Sequence, residues 1–432
     1  MSLVCHKWFE GYGSPSVLKT FRFSLIDSQL SMDTCLVIKI VRKYSIMFQH
    51  VEIHYDIIMN NHLIYTLCQQ FKLFLEILTS NWKLISVKFR DFVWLFADTD
   101  TRTYGDVIRA IISFLGSQHY LKRVEFDQCF FGYQEGVEIL KNLTQSSRDS
   151  LNHLVIRGFV PSEPKNKEQD STAEQNLTML LDLPHLKSLE TDYLFIFENT
   201  FPRHSEVTKT SKNCETRVLS KIILNYDGDS IDIECFRGLT STDWLFLKQL
   251  YTDLQVELNF TTHSSSRREL ELLIAPCIPI TRLDYTNYAY HMRIEYDVLF
   301  DHLLACKIND HLIALRLEWI LPIQDLDFTF TSFLQAYKKL KYLELFNIRA
   351  DDIDPLMESW QENRPESLEK VVIDISYIQD EDDYASLMNL TNEYVSLLEL
   401  FNVDTSLRQD CQVAKQDGRY GKHSNEAVVV KD

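Results

Sequence analysis

A short apolar phrase recurs along the chain at nearly regular intervals. It reads apolar, two variable, apolar, one variable, apolar. It occurs as Leu18-Phe21-Phe23, Phe48-Val51-Ile53, Leu84-Val87-Phe89, Leu121-Val124-Phe126, Leu151-Leu154-Ile156, Leu186-Leu189-Thr191 and Leu219-Ile222-Leu224. It continues as Tyr251-Leu254-Val256, Ile280-Leu283-Tyr285, Leu312-Leu315-Leu317, Leu340-Leu343-Leu345, Leu368-Val371-Ile373 and Val395-Leu398-Leu400. With 45% of residues apolar, chance alone gives about 0.09 matches per position, roughly 39 over the chain. The information therefore lies in the spacing, since successive starts are 27 to 37 residues apart. In an extended segment the second and third apolar residues share one face, and the residues beside them share the other.

The gaps between phrases carry helical periodicity. Examples are Val107, Ile108, Ile111, Ile112 and Leu115, and again Leu299, Leu303 and Leu304. Pro355, ahead of Leu356-Met357 and Trp360, sits where a first helical turn accepts it. A strand, a turn and a helix repeating about every 30 residues resembles the leucine-rich-repeat pattern. The expected fold is α/β: a leucine-rich-repeat solenoid with a curved parallel sheet, helices on its convex side and a short helical cap at the N-terminus. One repeat cannot bury its own apolar face, so stacking has to supply the core. The usual turn-capping Asn or Cys, eight residues after the phrase start, occurs only as Cys129 and Asn259. Elsewhere that position is often apolar, as at Ile26, Phe92, Phe159, Leu194, Ile320, Ile348 and Val403. The repeats are degenerate, and an ordinary α/β domain is the rival reading.

The expected organisation is a cap over 1–17, repeats over 18–403 and a disordered tail over 404–432. Pro161–Gln175 and Pro202–Thr216 read as exposed loops. The acidic runs Asp351–Asp354 and Asp380–Asp383 precede helical segments, where capping and the helix dipole account for them without a metal.

Chemistry leaves few traces. Lys plus Arg number 44 against 62 Asp plus Glu, a net charge of −18, which argues against nucleic acid or an anionic membrane as the general partner. Only 11 glycines are present, and no phosphate-cradling glycine motif occurs. The nine cysteines are scattered without a Cys-x-x-Cys pair, which fits reduced thiols in the cytoplasm or nucleus. His50-Val51-Glu52-Ile53-His54 is not HExxH, and on a strand its two histidines stand about 13 Å apart. No GxSxG elbow occurs. No metal, no cofactor and no catalytic residue are expected.

Ser2-Leu3-Val4-Cys5-His6-Lys7-Trp8-Phe9, followed by Ser14-Pro15-Ser16-Val17-Leu18, resembles the end of an F-box. With repeats following it, the whole resembles an F-box/leucine-rich-repeat protein. The resemblance implies that Leu3, Val4, Cys5 and Trp8 belong to the final F-box helix, which joins two preceding helices and a Skp-type adaptor of a cullin-RING ligase. The sequence opens inside the last third of such a box, so weak adaptor binding by this chain is expected. The implied function is non-catalytic recognition of a protein substrate for an SCF-type E3 ubiquitin ligase. The alternative is a repeat scaffold with no ubiquitin link, and an enzyme on an α/β fold is a third reading.

The phrase register puts Lys88, Arg90, Arg123 and Arg157 on the outward strand face, with Tyr342, Phe346 and Phe401 on later strands. These form the expected partner-binding surface. The acidic part of a partner is expected near Arg90 and Arg123, and the aromatic rings are expected to act as anchors.

Overall fold

A computed structural model describes residues 19–24, 35–55, 61–97, 99–161, 180, 183–193, 218–228, 238–263, 267–288, 296–319, 326–349, 366–376 and 404–409. Several sequence expectations fall outside these residues: the Leu3–Trp8 segment, the loop Pro202–Thr216, most of Pro161–Gln175, both acidic runs, the phrase Val395–Leu400, and Phe401. The chain divides into two compact units, 1–223 and 224–432.

In the first unit β1 (Thr20–Phe23), β2 (His50–His54), β3 (Ser86–Arg90), β4 (Arg123–Asp127), β5 (His153–Arg157) and β6 (Ser188–Asp192) pair in chain order, all parallel. Each begins just after a phrase start, and the two inner apolar residues of every phrase line up across the register, as Val51, Val87, Val124, Leu154 and Leu189 do. Between the strands lie α1 (Leu36–Tyr44), α2 (Ile64–Leu78), α3 (Phe92–Ala97), α4 (Thr101–Gly116) and α5 (Tyr133–Ser146). Their apolar stripes are buried, for example Leu67, Phe71, Phe74 and Leu78 on α2. Helices α1, α2, α4 and α5 pack against one another in turn. Asp100 caps α4 by accepting from the backbone N–H groups of Arg102 and Thr103 at 3.0 and 3.1 Å, a device worth about 1 kcal/mol.

The turn after the strand also repeats, at three consecutive strands. Asp91, Gln128 and Gly158 occupy the same place after β3, β4 and β5, and all three are left-handed (φ 62°, 55° and 53°). The amide of Asp91 donates to the Asp127 carbonyl at 2.9 Å and that of Gln128 to the Arg157 carbonyl at 2.8 Å. The Gly158 amide donates instead to the Asp192 carboxylate at 2.8 Å. At Gly158 an added Cβ would lie 2.9 Å from the Gln128 side chain, so glycine answers both the left-handed backbone and the close approach.

Cys129 fills the expected turn position. It is buried, and its Sγ lies 3.6 Å from the Phe89 carbonyl, as a turn-capping thiol should. At the neighbouring turns Phe92 and Phe159 are buried there instead and pack on the strand rings, Phe92 edge-on to Phe89 at 5.9 Å and Phe159 tilted against Phe126 at 5.0 Å. Aromatic packing, worth about 0.5–1.5 kcal/mol per pair beyond burial, replaces the amide at these coils. A polar ladder does appear at the opposite, helix-to-strand turns. Buried Asn81 donates to the carbonyls of Ser45 and Phe48 at 2.7 and 2.9 Å, and Ser147 donates to the Gln118 carbonyl at 2.7 Å.

β7 (Lys221–Asp227) runs across the division of the chain. The second unit contains α6 (Ser241–Leu250), β8 (Gln255–Thr262), α7 (Arg267–Leu273), β9 (Ile280–Asn287), α8 (Tyr296–Ala305), β10 (Ala314–Trp319), α9 (Leu326–Gln335), β11 (Tyr342–Arg349), β12 (Lys370–Ser376) and β13 (Asp404–Gln409). From β8 to β13 the strands again pair parallel in chain order. Leu315, Leu317, Leu343 and Leu345 are fully buried, as their phrases require.

One phrase sits elsewhere than the sequence places it. Pairing aligns Leu258 with Leu283 and Phe260 with Tyr285, so the eighth phrase lies further along than Tyr251-Leu254-Val256. A register shift between Val256 and Glu257 is the reason. Asn259 consequently lies within β8, where it donates to the Asn225 side chain at 2.7 Å instead of capping a turn, and Asp253 precedes the strand. The last strand is β13, inside the segment expected to be a disordered tail. Its residues DTSLRQ include one apolar side chain, Leu407, too few for a period-two signal. The fold is α/β with parallel strands and intervening helices.

Candidate protein-binding face

On the strand face of the first unit, the residues flanking the buried positions form three rows. One row contains Thr20, His50, Ser86, Arg123, His153 and Ser188, and a second contains Arg22, Glu52, Lys88, Glu125, Val155 and Glu190. The third contains His54, Arg90, Asp127 and Arg157. The sequence therefore places Lys88, Arg90, Arg123 and Arg157 on a common surface, and the register brings them together.

What the sequence does not show is how that charge is spent. Arg22 reaches Glu52 at 3.1 Å, and Arg90 lies 3.8 Å from Glu52 and 3.5 Å from Asp127. Lys88 pairs with Glu125 at 2.8 Å, and Arg123 pairs with the same carboxylate. Arg157 grips Asp127 with both ends of its guanidinium and lies 3.8 Å from Glu190. Each of the four cations expected to attract an acidic partner is thus already ion-paired within this chain, two of them on Glu125 and two on Asp127. Parallel in-register strands put like rows about 4.8 Å apart, within reach of any long side chain, so alternating signs along a row become pairs.

The protonation states follow from this arrangement. Burial opposes ionisation of Glu125, but the hydrogen bonds and charges of Lys88 and Arg123 outweigh it and hold its pKa below the usual range. The Arg22 hydrogen bond does the same for Glu52. Burial pushes the Asp192 carboxyl up to about 7, against the Gly158 amide that favours its anion. Burial, helped by Arg123, lowers the His153 pKa, so that imidazole is neutral at pH 7. His50 shares a 2.8 Å hydrogen bond with Ser86, and His54 lies 3.1 Å from Asp91. The two histidines of the HVEIH segment thus have separate partners on β3 and just beyond it.

The face is dimpled over β1–β4, where Thr20, His50, Glu52, Ser86, Lys88, Arg123 and Glu125 surround a hollow of about 150 Å³. Ligand pockets usually enclose about 300–1,000 Å³, so this one suits a single side chain of a partner. Among the described residues no group of three or more His, Cys, Asp or Glu is placed to hold a metal ion. Among the same residues no helix is long and apolar enough to cross a membrane.

In the second unit, Tyr342 is 42% exposed on the strand face. Phe346 lies under the Arg316 guanidinium at 4.3 Å from its ring centre, and Arg316 also pairs with Glu318 at 2.8 Å. Arg282 pairs with Asp284 in the same way, at 2.9 Å. No family model matches the chain, and no curated protein matches it.

Proposed function

We propose that the chain is a non-catalytic protein-binding module of leucine-rich-repeat type, which meets its partner on the open strand face. One observation carries the reading: the first unit offers a broad surface of ion-paired side chains with a hollow of only about 150 Å³. Such a surface suits a folded protein of mixed charge, because paired side chains present both signs and a partner gains from complementary rows. The repeating strand, left-handed turn and buried helix support a solenoid. Lys88, Arg90, Arg123 and Arg157 contribute to the first unit's surface, and Tyr342 and Phe346 to the second unit's. Placing a photo-crosslinking residue at Ser86 on the face, and separately at Glu138 on α5, tests this. Adducts from Ser86 alone support the reading, and equal adducts from both positions, or none, overturn it.

The resemblance of Leu3, Val4, Cys5 and Trp8 to the last F-box helix supports a more specific role, as the substrate-recognition subunit of an SCF-type ubiquitin ligase in the cytoplasm or nucleus. The test is a pull-down with purified Skp-type adaptor, comparing the chain alone with a chain extended by an upstream F-box segment. The extended chain should bind tightly and the chain alone weakly. Trp8→Ala should then weaken the extended chain, since losing a buried Trp typically costs about 3–5 kcal/mol. No binding by the extended chain leaves the scaffold reading, with no ubiquitin link.

A further inference from the structure

Unpaired positive charge of the first unit gathers along the edge where its strands begin, away from the paired face. Directly before the strands, Lys19, Gln49, Ile85, Lys122, Asn152, Lys187 and Ser220 form one hydrogen-bonded row. Each residue's carbonyl accepts the amide of the next, at 2.7 to 3.0 Å. Their side chains therefore repeat at the strand spacing, and Lys122 and Lys187, two strands apart, stand about 10 Å from one another. The adjoining turns add Lys83 and Arg148. All five of Lys19, Lys83, Lys122, Arg148 and Lys187 are exposed, and none makes an ion pair among the described residues. Across the turns at 45–49, 79–85, 117–122, 147–152, 183–187 and 218–220, Asp149 is the single carboxylate.

Apolar side chains stand among these cations. Trp82 is 68% exposed, Tyr120 63% and Ile46 57%, all on the same set of turns. Lys83 Nζ lies 5.2 Å from the Trp82 ring centre. A chain with a net charge of −18 thus places free lysines and two exposed rings along one narrow edge. Solvation alone gives no reason to expose Trp and Tyr there, whereas a docking partner does.

We propose that this edge docks an acidic, extended protein segment carrying interspersed apolar residues. An extended peptide advances about 3.3 Å per residue, so every third residue matches the Lys122–Lys187 interval. Its apolar side chains would settle on Trp82 and Tyr120. A nucleic acid fits less well. Its phosphates carry a charge about every 3.4 Å along a strand, denser than lysines about 10 Å apart can match.

The test is fluorescence anisotropy of the full chain with a labelled Glu-rich peptide interspersed with leucine, against its Gln counterpart and a single-stranded oligonucleotide of equal charge. The Glu peptide should bind, more weakly as salt rises, and the Gln peptide should not. The double variant Lys122→Glu/Lys187→Glu should weaken binding by at least about tenfold, and Trp82→Ala should also weaken it. Lys141→Glu, which reverses an exposed charge on α5, should leave it unchanged. The proposal fails if the Glu peptide does not bind, if Lys141→Glu weakens it as much as the double variant, or if the oligonucleotide binds more tightly. Because the edge and the strand face are separate surfaces, crosslinking from Ser86 stands or falls independently of this result.

Discussion

Arg157 on β5 holds Asp127 on β4 in a two-point grip, Nε to Oδ1 at 2.8 Å and Nη2 to Oδ2 at 2.9 Å. The Asp127 carboxylate is almost wholly covered, and Arg90 approaches it from the other side at 3.5 Å. The pair is therefore a strand-to-strand clasp at the centre of the face. Asp127→Asn removes the anion both guanidiniums share, leaving each only a carboxylate at 3.8 Å, and should cost about 1–3 kcal/mol in urea unfolding. A double-mutant cycle with Arg157→Ala should return a coupling of about 0.5–3 kcal/mol, and additive effects would show the clasp to be unimportant.

Asn81 ties two coils together through the carbonyls of Ser45 and Phe48, while its own oxygen accepts the Lys83 amide at 2.9 Å. Asn81→Ala strands these buried groups and should cost on the order of 3 kcal/mol. Asn81→Asp should be no better, because a carboxylate cannot donate to a carbonyl. Thermal melts of the two variants check this, and a rescue by Asp would contradict it.

Asp192 gives stability an unusual pH slope. Its carboxyl titrates at about 7 in the folded chain, against about 3.9 when unfolded. An acid with a raised native pKa favours folding most when protonated. Its contribution is complete below about pH 4, declines as pH rises to about 7 and then levels off. Asp192→Asn should therefore gain on the wild type between about pH 4 and pH 7. A difference in urea midpoints that stays constant with pH would exclude this role.

Glu125 has the opposite sign, since its native pKa lies below the usual range. Its contribution is present above about pH 4.5 and is lost as pH falls through the native value. The stability gap between wild type and Glu125→Gln should close on acidification, which acid titration of the two proteins measures directly.

In the second unit, Leu345→Ala removes a fully buried side chain from β11 and should cost about 2–5 kcal/mol. Differential scanning calorimetry reads it, and a change under about 0.5 kcal/mol, the range of surface substitutions, would deny Leu345 its place in the core.

The strands of the first unit were legible because burial enforces a period of two, and residues such as Val87 and Phe89 have no other way to leave water. β8 was misplaced because a register shift moves the phrase without changing which residues are apolar, so Leu254-Val256 and Leu258-Phe260 look alike in one dimension. β13 was missed because hydrogen bonding to β12 makes DTSLRQ a strand without an apolar alternation. For the face, Lys88, Arg90, Arg123 and Arg157 could be assigned to one surface by counting, but their pairing could not. It depends on which carboxylate the neighbouring strand supplies, and residues about 30 apart in sequence meet only through register. The strand-start edge has its own signal in the sequence, since Lys19, Lys122 and Lys187 all follow their phrase starts directly.

The backbone row from Lys19 to Ser220 links each coil only to its immediate neighbours. In the proposed solenoid, cooperativity is quasi-one-dimensional, so a defect in one coil should be felt by two others and little further. Amide protons of β3 and β4, bonded on both sides, should outlast those of β1 in hydrogen exchange, because opening at β1 severs a single ladder. The same connectivity lets an end coil loosen while the inner ones hold, and a loosened end coil leaves its neighbour with an unpaired strand edge.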